Sequence, residues 1–246
     1  DYPIPNQASV IKAILDTNHQ YPVPAIDIDS TCLSFVTALD MAAHLLDGQT
    51  YQNILIVSTE IASKGINPAN WETLTLFGDG AAAAIVSYDP HASACYFKGQ
   101  HFTYSEGTYL TMIEGGGNKN FFKDHPYDPE LHSFKMQGKQ LLRLTRKKLP
   151  EFINRFFEDT PYTLQTVDAI VPHQASKLGL AVFSKQYQLK PGVVKQTLHK
   201  YGNCIAASIP LTLLDAIEQG SIQRGDVCFL AGTSAGFSMG GVLIRY

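Results

Sequence analysis

The sequence predicts an α/β fold built by duplicating one unit, and three observations carry that expectation. Short apolar runs rich in β-branched residues alternate with stretches of helical periodicity. The same string of motifs occurs twice, in the same order. Of the 246 residues, 45% are hydrophobic and 17% charged, which is enough apolar material for one or two cores.

The strand-like runs are residues 53–57, 82–86, 167–171, 227–231 and 241–244, with a shorter one at 25–29. Helical spacing fits 35–46, 137–157 and 206–218. Alternation of this kind argues buried strands with helices packed over them.

The repeat is more specific. Pro5-Asn6-Gln7-Ala8-Ser9 matches Pro172-His173-Gln174-Ala175-Ser176, and each precedes a helix-like stretch. Cys32 opens a helix ending near Gly48, with a strand after it. Cys204 opens a second helix ending near Gly220, again followed by a strand. Glycine-rich turns, Phe77-Gly78-Asp79-Gly80 and Ser234-Ala235-Gly236, each lead into an apolar run. Four matches in one order argue duplication. The halves divide as 1–90, with Cys32, and 91–246, with His173 and Asn203. A strand and a long helix precede His173, whereas five residues precede Asn6. Repeat arithmetic therefore predicts N-terminal strand–helix units of roughly 70 residues or more ahead of Asp1.

Composition narrows the function. A net charge of -3 does not suit nucleic acid as a main partner. No apolar run reaches the length of a membrane span, and the first residues resemble no targeting peptide. The four cysteines, Cys32, Cys95, Cys204 and Cys228, form no CxxC pair. Reduced thiols and a cytoplasmic setting are expected, without structural zinc. His125, Asp128, Glu130 and His132 form a metal-like cluster, but in a Pro-containing stretch that reads as a solvated loop. Lys139, Arg143, Arg146, Lys147 and Lys148 read as a solvated helix face, or one that attracts an acidic protein.

Three residues carry the chemistry. Cys32 sits where a strand-like run meets a helix, and a helix N-terminus favours thiolate. By position alone it reads equally well as a small buried cysteine. His173 ends a buried strand, where ligands of α/β sheets bind, although a lone strand-end histidine is often structural. Asn203 by itself reads as an N-cap. The repeat, however, places its loop beside the Cys32 loop, across a pseudo-twofold axis. The Ser234-Ala235-Gly236 turn is placed to supply an oxyanion donor, whereas Phe77–Gly80 reads as a tight turn.

Together these strings resemble the β-ketoacyl-acyl-carrier-protein synthase III family. They are Asp29-Ser30-Thr31-Cys32-Leu33-Ser34-Phe35, Phe77-Gly78-Asp79-Gly80-Ala81, Val171-Pro172-His173-Gln174-Ala175-Ser176 and Tyr201-Gly202-Asn203-Cys204-Ile205, closed by Gly236-Phe237-Ser238-Met239-Gly240. The resemblance runs the length of the chain. It implies a layered α-β-α-β-α thiolase-like fold, starting in this chain after the family's first strand–helix units, and a decarboxylative Claisen condensation. Cys32 takes an acyl group from an acyl-CoA or acyl-carrier-protein thioester. His173 and Asn203 stabilise the enolate formed from a malonyl-carrier protein. The N–H groups of Cys32 and Ala235 hold the oxyanion. Neutral donors suit a charge that develops during reaction. The resemblance implies no metal or redox cofactor, and a homodimer.

It also implies substrate contacts at Ile4, Trp71, Leu76, Phe77, Ser176 and Gly236. Several of these depart from the family pattern. Trp71 stands for a basic residue on the CoA nucleotide, Ser176 for an asparagine of the pantetheine tunnel, and Leu178 for an arginine linked to carrier docking. Ile4 stands for a pocket-gating aromatic, which implies room for a longer or bulkier acyl chain. Sister families match less well. The C-terminal glycine loop lacks the second cysteine of thiolases, the loop of plant-type polyketide synthases differs, and the glutamate of hydroxymethylglutaryl-CoA synthases has no assigned counterpart. An acyltransferase using the same Cys32, or a silent partner subunit, remains an alternative to condensation.

Overall fold

Period-two burial and helical stripes account for most of the architecture. The computed structural model describes residues 2–246. In chain order the helices are α1 (Gln7–Leu15), α2 (Ser34–Leu45), α3 (Trp71–Leu74), α4 (Pro129–His132), α5 (Gly138–Phe157), α6 (Lys177–Gln186), α7 (Leu198–Tyr201) and α8 (Ser208–Glu218). The strands are β1 (Asn53–Ile61), β2 (Asp79–Ser87), β3 (Cys95–Thr103), β4 (Thr111–Met112), β5 (Lys135–Met136), β6 (Ala169–Pro172), β7 (Val227–Ser234) and β8 (Ser238–Arg245). Single 3₁₀ turns, Thr31–Leu33 and Ile205–Ala207, lead into α2 and α8.

The strands form three sheets. β1 and β2 pair antiparallel, β4 pairs with β5, and the main sheet has the order β3-β8-β7-β6. In that sheet β7 is antiparallel to β8 and parallel to β6.

The main sheet is covered on both faces. Phe35, Val36 and Leu39 of α2 and Ile209 and Ala216 of α8 form one core with Val171, Leu230 and Val242. Ile56 of β1 joins the same core, so the two helices lie between the β1–β2 pair and the main sheet. On the far face Phe152, Ile153, Phe156 and Phe157 of α5 pack on Ile170, Phe229 and Leu243. Their spacing makes one apolar stripe on α5. Burying each such ring contributes about 2 kcal/mol.

Four of the five expected layers are thus present among the described residues. The outward face of the β1–β2 pair exposes Leu55 (47%) and Ile85 (73%). The strand-like run 25–29 pairs with no strand among the described residues. It is tied instead to α1, where the Asp27 carboxylate accepts the backbone N–H groups of Gln7 and Ala8. Sequence periodicity passed over β3. This is an edge strand bearing Lys98, Gly99, Gln100 and His101, and a register shift between Tyr96 and Lys98 breaks its alternation.

The duplication is visible, but its register differs from the one that aligns Cys32 with Cys204. Thr31 and Ile205 each open a 3₁₀ turn with positive φ, 49° and 45°. The Asp29 side chain accepts the Thr31 N–H at 2.8 Å, and the Asn203 side chain accepts the Ile205 N–H at 2.9 Å. The helices that follow begin at Ser34 and Ser208. In this register Asp29 pairs with Asn203, and Cys32 with Ala206. The Cys-to-Gly spacing misled because the second helix, Ser208–Glu218, is one residue shorter than Ser34–Leu45, and its link to Gly220 is shorter again by one than the link to Gly48.

Candidate active site

The site forms where the C-terminal ends of β6 and β7 meet the two 3₁₀ turns. His173 directly follows β6, and its backbone N–H donates to Ala231 on β7 at 2.9 Å. Gly232 lies beneath it, since a Cβ there would stand 2.6 Å from the His173 Cβ and 3.5 Å from Leu33. The Cys32 turn packs against both β7 and the Ile205–Ala207 turn that follows Asn203. Cys32, His173 and Asn203 are therefore brought to one place.

Cys32 is half-buried by surface exposure, but the groups packed around its sulfur leave little room for water. Burial pushes the thiol up to about 12, against the pull of the Ala235 and Cys32 N–H groups, and the Glu60 charge adds to the rise. This reverses the thiolate expected at a helix start, because desolvation outweighs the few N–H groups of one 3₁₀ turn. The Cys32 and Ala235 N–H groups are the two named from the sequence as oxyanion donors. Gly236 follows with φ +78°.

His173 is buried, and burial lowers its imidazole to about 4, so it is neutral at physiological pH. Its buried Nδ1 has no hydrogen-bond partner among the described residues.

The orientation of Asn203 is fixed from both sides. Its backbone bridges the Phe77 segment, with Asn203 N donating to Leu76 O at 2.8 Å and Gly78 N donating to Asn203 O at 3.1 Å. Its Oδ1 accepts from Ile205 N–H, and from the Ser208 hydroxyl at 3.4 Å. Those donors make Nδ2 the end of the amide left for other partners. The Phe77–Gly80 turn thus serves as more than a connection. A Cβ on Gly78 would come 1.8 Å from Tyr201 O, so only glycine lets the two backbones approach. Phe77 packs edge-on against Phe134.

Other residues named from the sequence fall further out. Ser176 caps α6, its hydroxyl accepting from Gly179 N–H at 3.1 Å. Ile4 (88%), Trp71 (74%) and Leu178 (69%) are exposed. In the metal-like cluster Asp128 caps α4, Glu130 accepts from Asn67, and His132 stacks on Phe122. Two surface hollows, of about 470 and 330 Å³, are lined by Ile153–Thr163 residues and by Gly192–Ser221 residues, and neither includes the Cys32 region.

Sequence reasoning missed Glu60 and Gly232. Glu60 interrupts the inward-facing series Ile54, Ile56 and Ser58 of β1 with a half-buried charge, and that break was readable in the sequence.

A duplicated α/β fold with a Cys-His-Asn cluster at its strand ends defines the thiolase-fold condensing enzymes, which act on acyl thioesters. The pattern of 3-oxoacyl-[acyl-carrier-protein (ACP)] synthase III matches residues 26–102, and that of its C-terminal part matches residues 157–246. The chain is 31% identical over 233 residues to the beta-ketoacyl-[acyl-carrier-protein] synthase III of Vesicomyosocius okutanii, covering 95% of this chain and 70% of the relative. It superposes on the 3-oxoacyl-(acyl carrier protein) synthase III of Pseudomonas aeruginosa PAO1 with a TM-score of 0.87 at 25% identity, covering 100% of this chain and 73% of that one. OleA of Xanthomonas campestris shares the fold, at 23% identity and a TM-score of 0.82, over 100% of this chain and 72% of that one. The chain belongs to the 3-oxoacyl-[acyl-carrier-protein] synthase III family. No helix among the described residues is long and apolar enough to cross a membrane.

Proposed function

We propose that this chain catalyses decarboxylative condensation of an acyl thioester with a malonyl thioester through an acyl-Cys32 intermediate. The half 1–90 supplies the nucleophile, and the half 91–246 supplies His173, Asn203 and Ala235. The observation that carries the reading is the packing of the Cys32 turn against β7 and the Ile205–Ala207 turn, with His173 bonded to Ala231 of β7, which gathers Cys32, His173 and Asn203.

In the first step the Cys32 sulfur attacks the acyl carbonyl of an acyl-CoA or acyl-carrier-protein thioester. The carbonyl oxygen gains charge within reach of both N–H groups. The donor thiol leaves, taking the proton that Cys32 gives up. A thiol held near 12 is protonated at rest, so the proton moves during attack rather than before it.

In the second step a malonyl-carrier protein places its thioester carbonyl against His173 and Asn203. Carbon dioxide leaves, and the charge developing on that oxygen is stabilised by an imidazole N–H and by Nδ2. A neutral His173 fits this role, because it keeps one ring N–H to donate to a charge that develops only as carbon dioxide leaves. The enolate carbon attacks acyl-Cys32, a carbon–carbon bond forms as the carbon–sulfur bond breaks, and the departing Cys32 sulfur takes up one proton from solvent. No metal or redox group enters either step. Ile4, Trp71, Leu76, Phe77, Ser176 and Gly236 remain proposed substrate contacts, and a homodimer the proposed assembly.

Intact-protein mass spectrometry with a panel of acyl-CoAs and acyl-carrier proteins, followed by malonyl-dependent release of carbon dioxide, tests the reading. An adduct on the wild type that is absent from Cys32→Ala, with carbon dioxide released, is the expected result. An adduct without that release would instead support acyl transfer to another acceptor.

A further inference from the structure

Duplication produces the same turn twice, and the two copies have met different fates. In the first copy the N–H groups of Cys32 and of Ala235, which follows β7, both act to lower the Cys32 thiol. In the second copy the equivalent N–H belongs to Ala206. It donates to the Glu60 carboxylate at 3.4 Å. Glu60 lies near the end of β1, and Ser234 ends β7, the counterpart of β1 in the duplicated register. One of the two related N–H positions is thus left for a substrate oxygen, while the other is occupied by an anion of the chain itself.

We propose that Glu60 is a positioning residue, a built-in anion that fills the second half's counterpart of the oxyanion site and so clamps the Asn203 loop against the nucleophile loop. The proposal rests on the functional reading above for the role of Asn203, but the placement of Glu60 stands apart from it.

Three observations support the clamp. Glu60 follows Ile54, Ile56 and Ser58 on the core-facing side of β1, where a charge is costly unless hydrogen-bonded. Its cross-strand neighbour is Gly80, at which a Cβ would stand 3.0 Å from Cys204 Sγ, so β2 and the Asn203 loop close tightly around it. The groups facing it come from both loops: Asp29 and Cys32 from the nucleophile side and Cys204 from the Asn203 side. All three are anionic when ionised. Among the described residues no cation pairs with Glu60 there, and the Ala206 N–H donates to its carboxylate. Burial raises its carboxyl above the usual range and the Asp29 charge adds to the rise, while the Ala206 N–H pulls the other way and favours the anion.

The test uses Glu60→Gln, which keeps the oxygen acceptor but removes the charge, and Glu60→Ala, which removes both. Iodoacetamide alkylation of Cys32 is followed by peptide mass spectrometry from pH 7 to 10. Glu60→Gln is expected to alkylate at least about threefold faster at a given pH, because a like charge has gone. Malonyl decarboxylation and Cys32 acylation are then measured separately. Glu60→Ala is expected to lose about tenfold or more of decarboxylation, the step assigned to Asn203, with acylation changed by less than about threefold. Glu60→Gln should recover most of that loss.

An alkylation profile unchanged in Glu60→Gln would overturn the proposal. So would equal loss of both steps in Glu60→Ala, which marks a general structural role. Where wild type neither acylates nor decarboxylates, the functional reading fails and the alkylation profile alone decides for Glu60. Where Glu60→Ala does not fold, Glu60→Gln carries the same decision.

Discussion

Asp29 and Asn203 hold the same local turn, each with a side-chain Oδ1 accepting the backbone N–H two residues on, at 2.8 and 2.9 Å. An aspartate and an asparagine are therefore interchangeable for building this turn. Only the asparagine also offers an N–H₂ group. The amide of Asn203 is thus chemically over-qualified as a turn former.

Asn203→Asp uses that relationship as its own control. Oδ1 still accepts from Ile205, so the melting temperature should fall by no more than a few degrees. Malonyl decarboxylation should drop by about 100-fold or more, because a donor is replaced by a charge that repels the enolate. Acylation of Cys32, followed by intact mass, should persist. Loss of acylation to the same extent would place Asn203 in the first step.

Gly232→Ala tests how tightly His173 is seated. The added Cβ would meet the His173 Cβ at 2.6 Å, and the neighbours are a strand and Leu33, which give little. The variant is expected to lose about 1–3 kcal/mol of stability. Decarboxylation should fall further than that loss explains, since a displacement of one ångström at a donor costs about 100-fold. Chemical denaturation and steady-state rates measured together separate the two effects.

Much of this was legible in the chain itself. The helical stripes of Phe35, Val36 and Leu39 and of Phe152, Ile153 and Phe156 announced both cores, and the strings around Cys32, His173 and Asn203 stood out together in the chain. The register of the duplication could not, because residue counting cannot see that the second helix and its link to the glycine are each one residue shorter. The left-handed Thr31 and Ile205 reveal it, and β-branched residues give no sequence warning of positive φ. β3 was hidden by its polar edge composition. The raised thiol of Cys32 was also out of reach. Its cause is how closely distant segments pack around the sulfur, whereas the helix start that suggested a thiolate is local.

Burial of His173 makes stability depend on pH in a defined window. The imidazole is lowered from 6.5 to about 4 in the folded protein, so between those values the unfolded chain binds the extra proton and the fold does not. Stability from this group is intact above pH 6.5 and is lost as pH falls toward 4, by about 3 kcal/mol in all. His173→Gln should show correspondingly less acid destabilisation over pH 6.5 to 4 in urea titrations. Parallel losses in both proteins would mean that other groups dominate the acid limb.

Cys32 should behave as a hidden thiol toward small reagents and as a nucleophile only toward the right thioester. With its thiol pushed up to about 12, the thiolate fraction near pH 8 is on the order of 10⁻⁴. Alkylation of Cys32 by iodoacetamide should therefore rise about tenfold per pH unit, with no plateau by pH 10. Exposed Cys95 supplies an internal reference and should react far sooner. Acylation by a cognate thioester is expected to escape this steep dependence. Its carbonyl brings a developing oxyanion to the Cys32 and Ala235 N–H groups, and the thiol proton leaves during attack. A plateau in alkylation near pH 8 would mean that water reaches the sulfur and that the two N–H groups already hold it as thiolate.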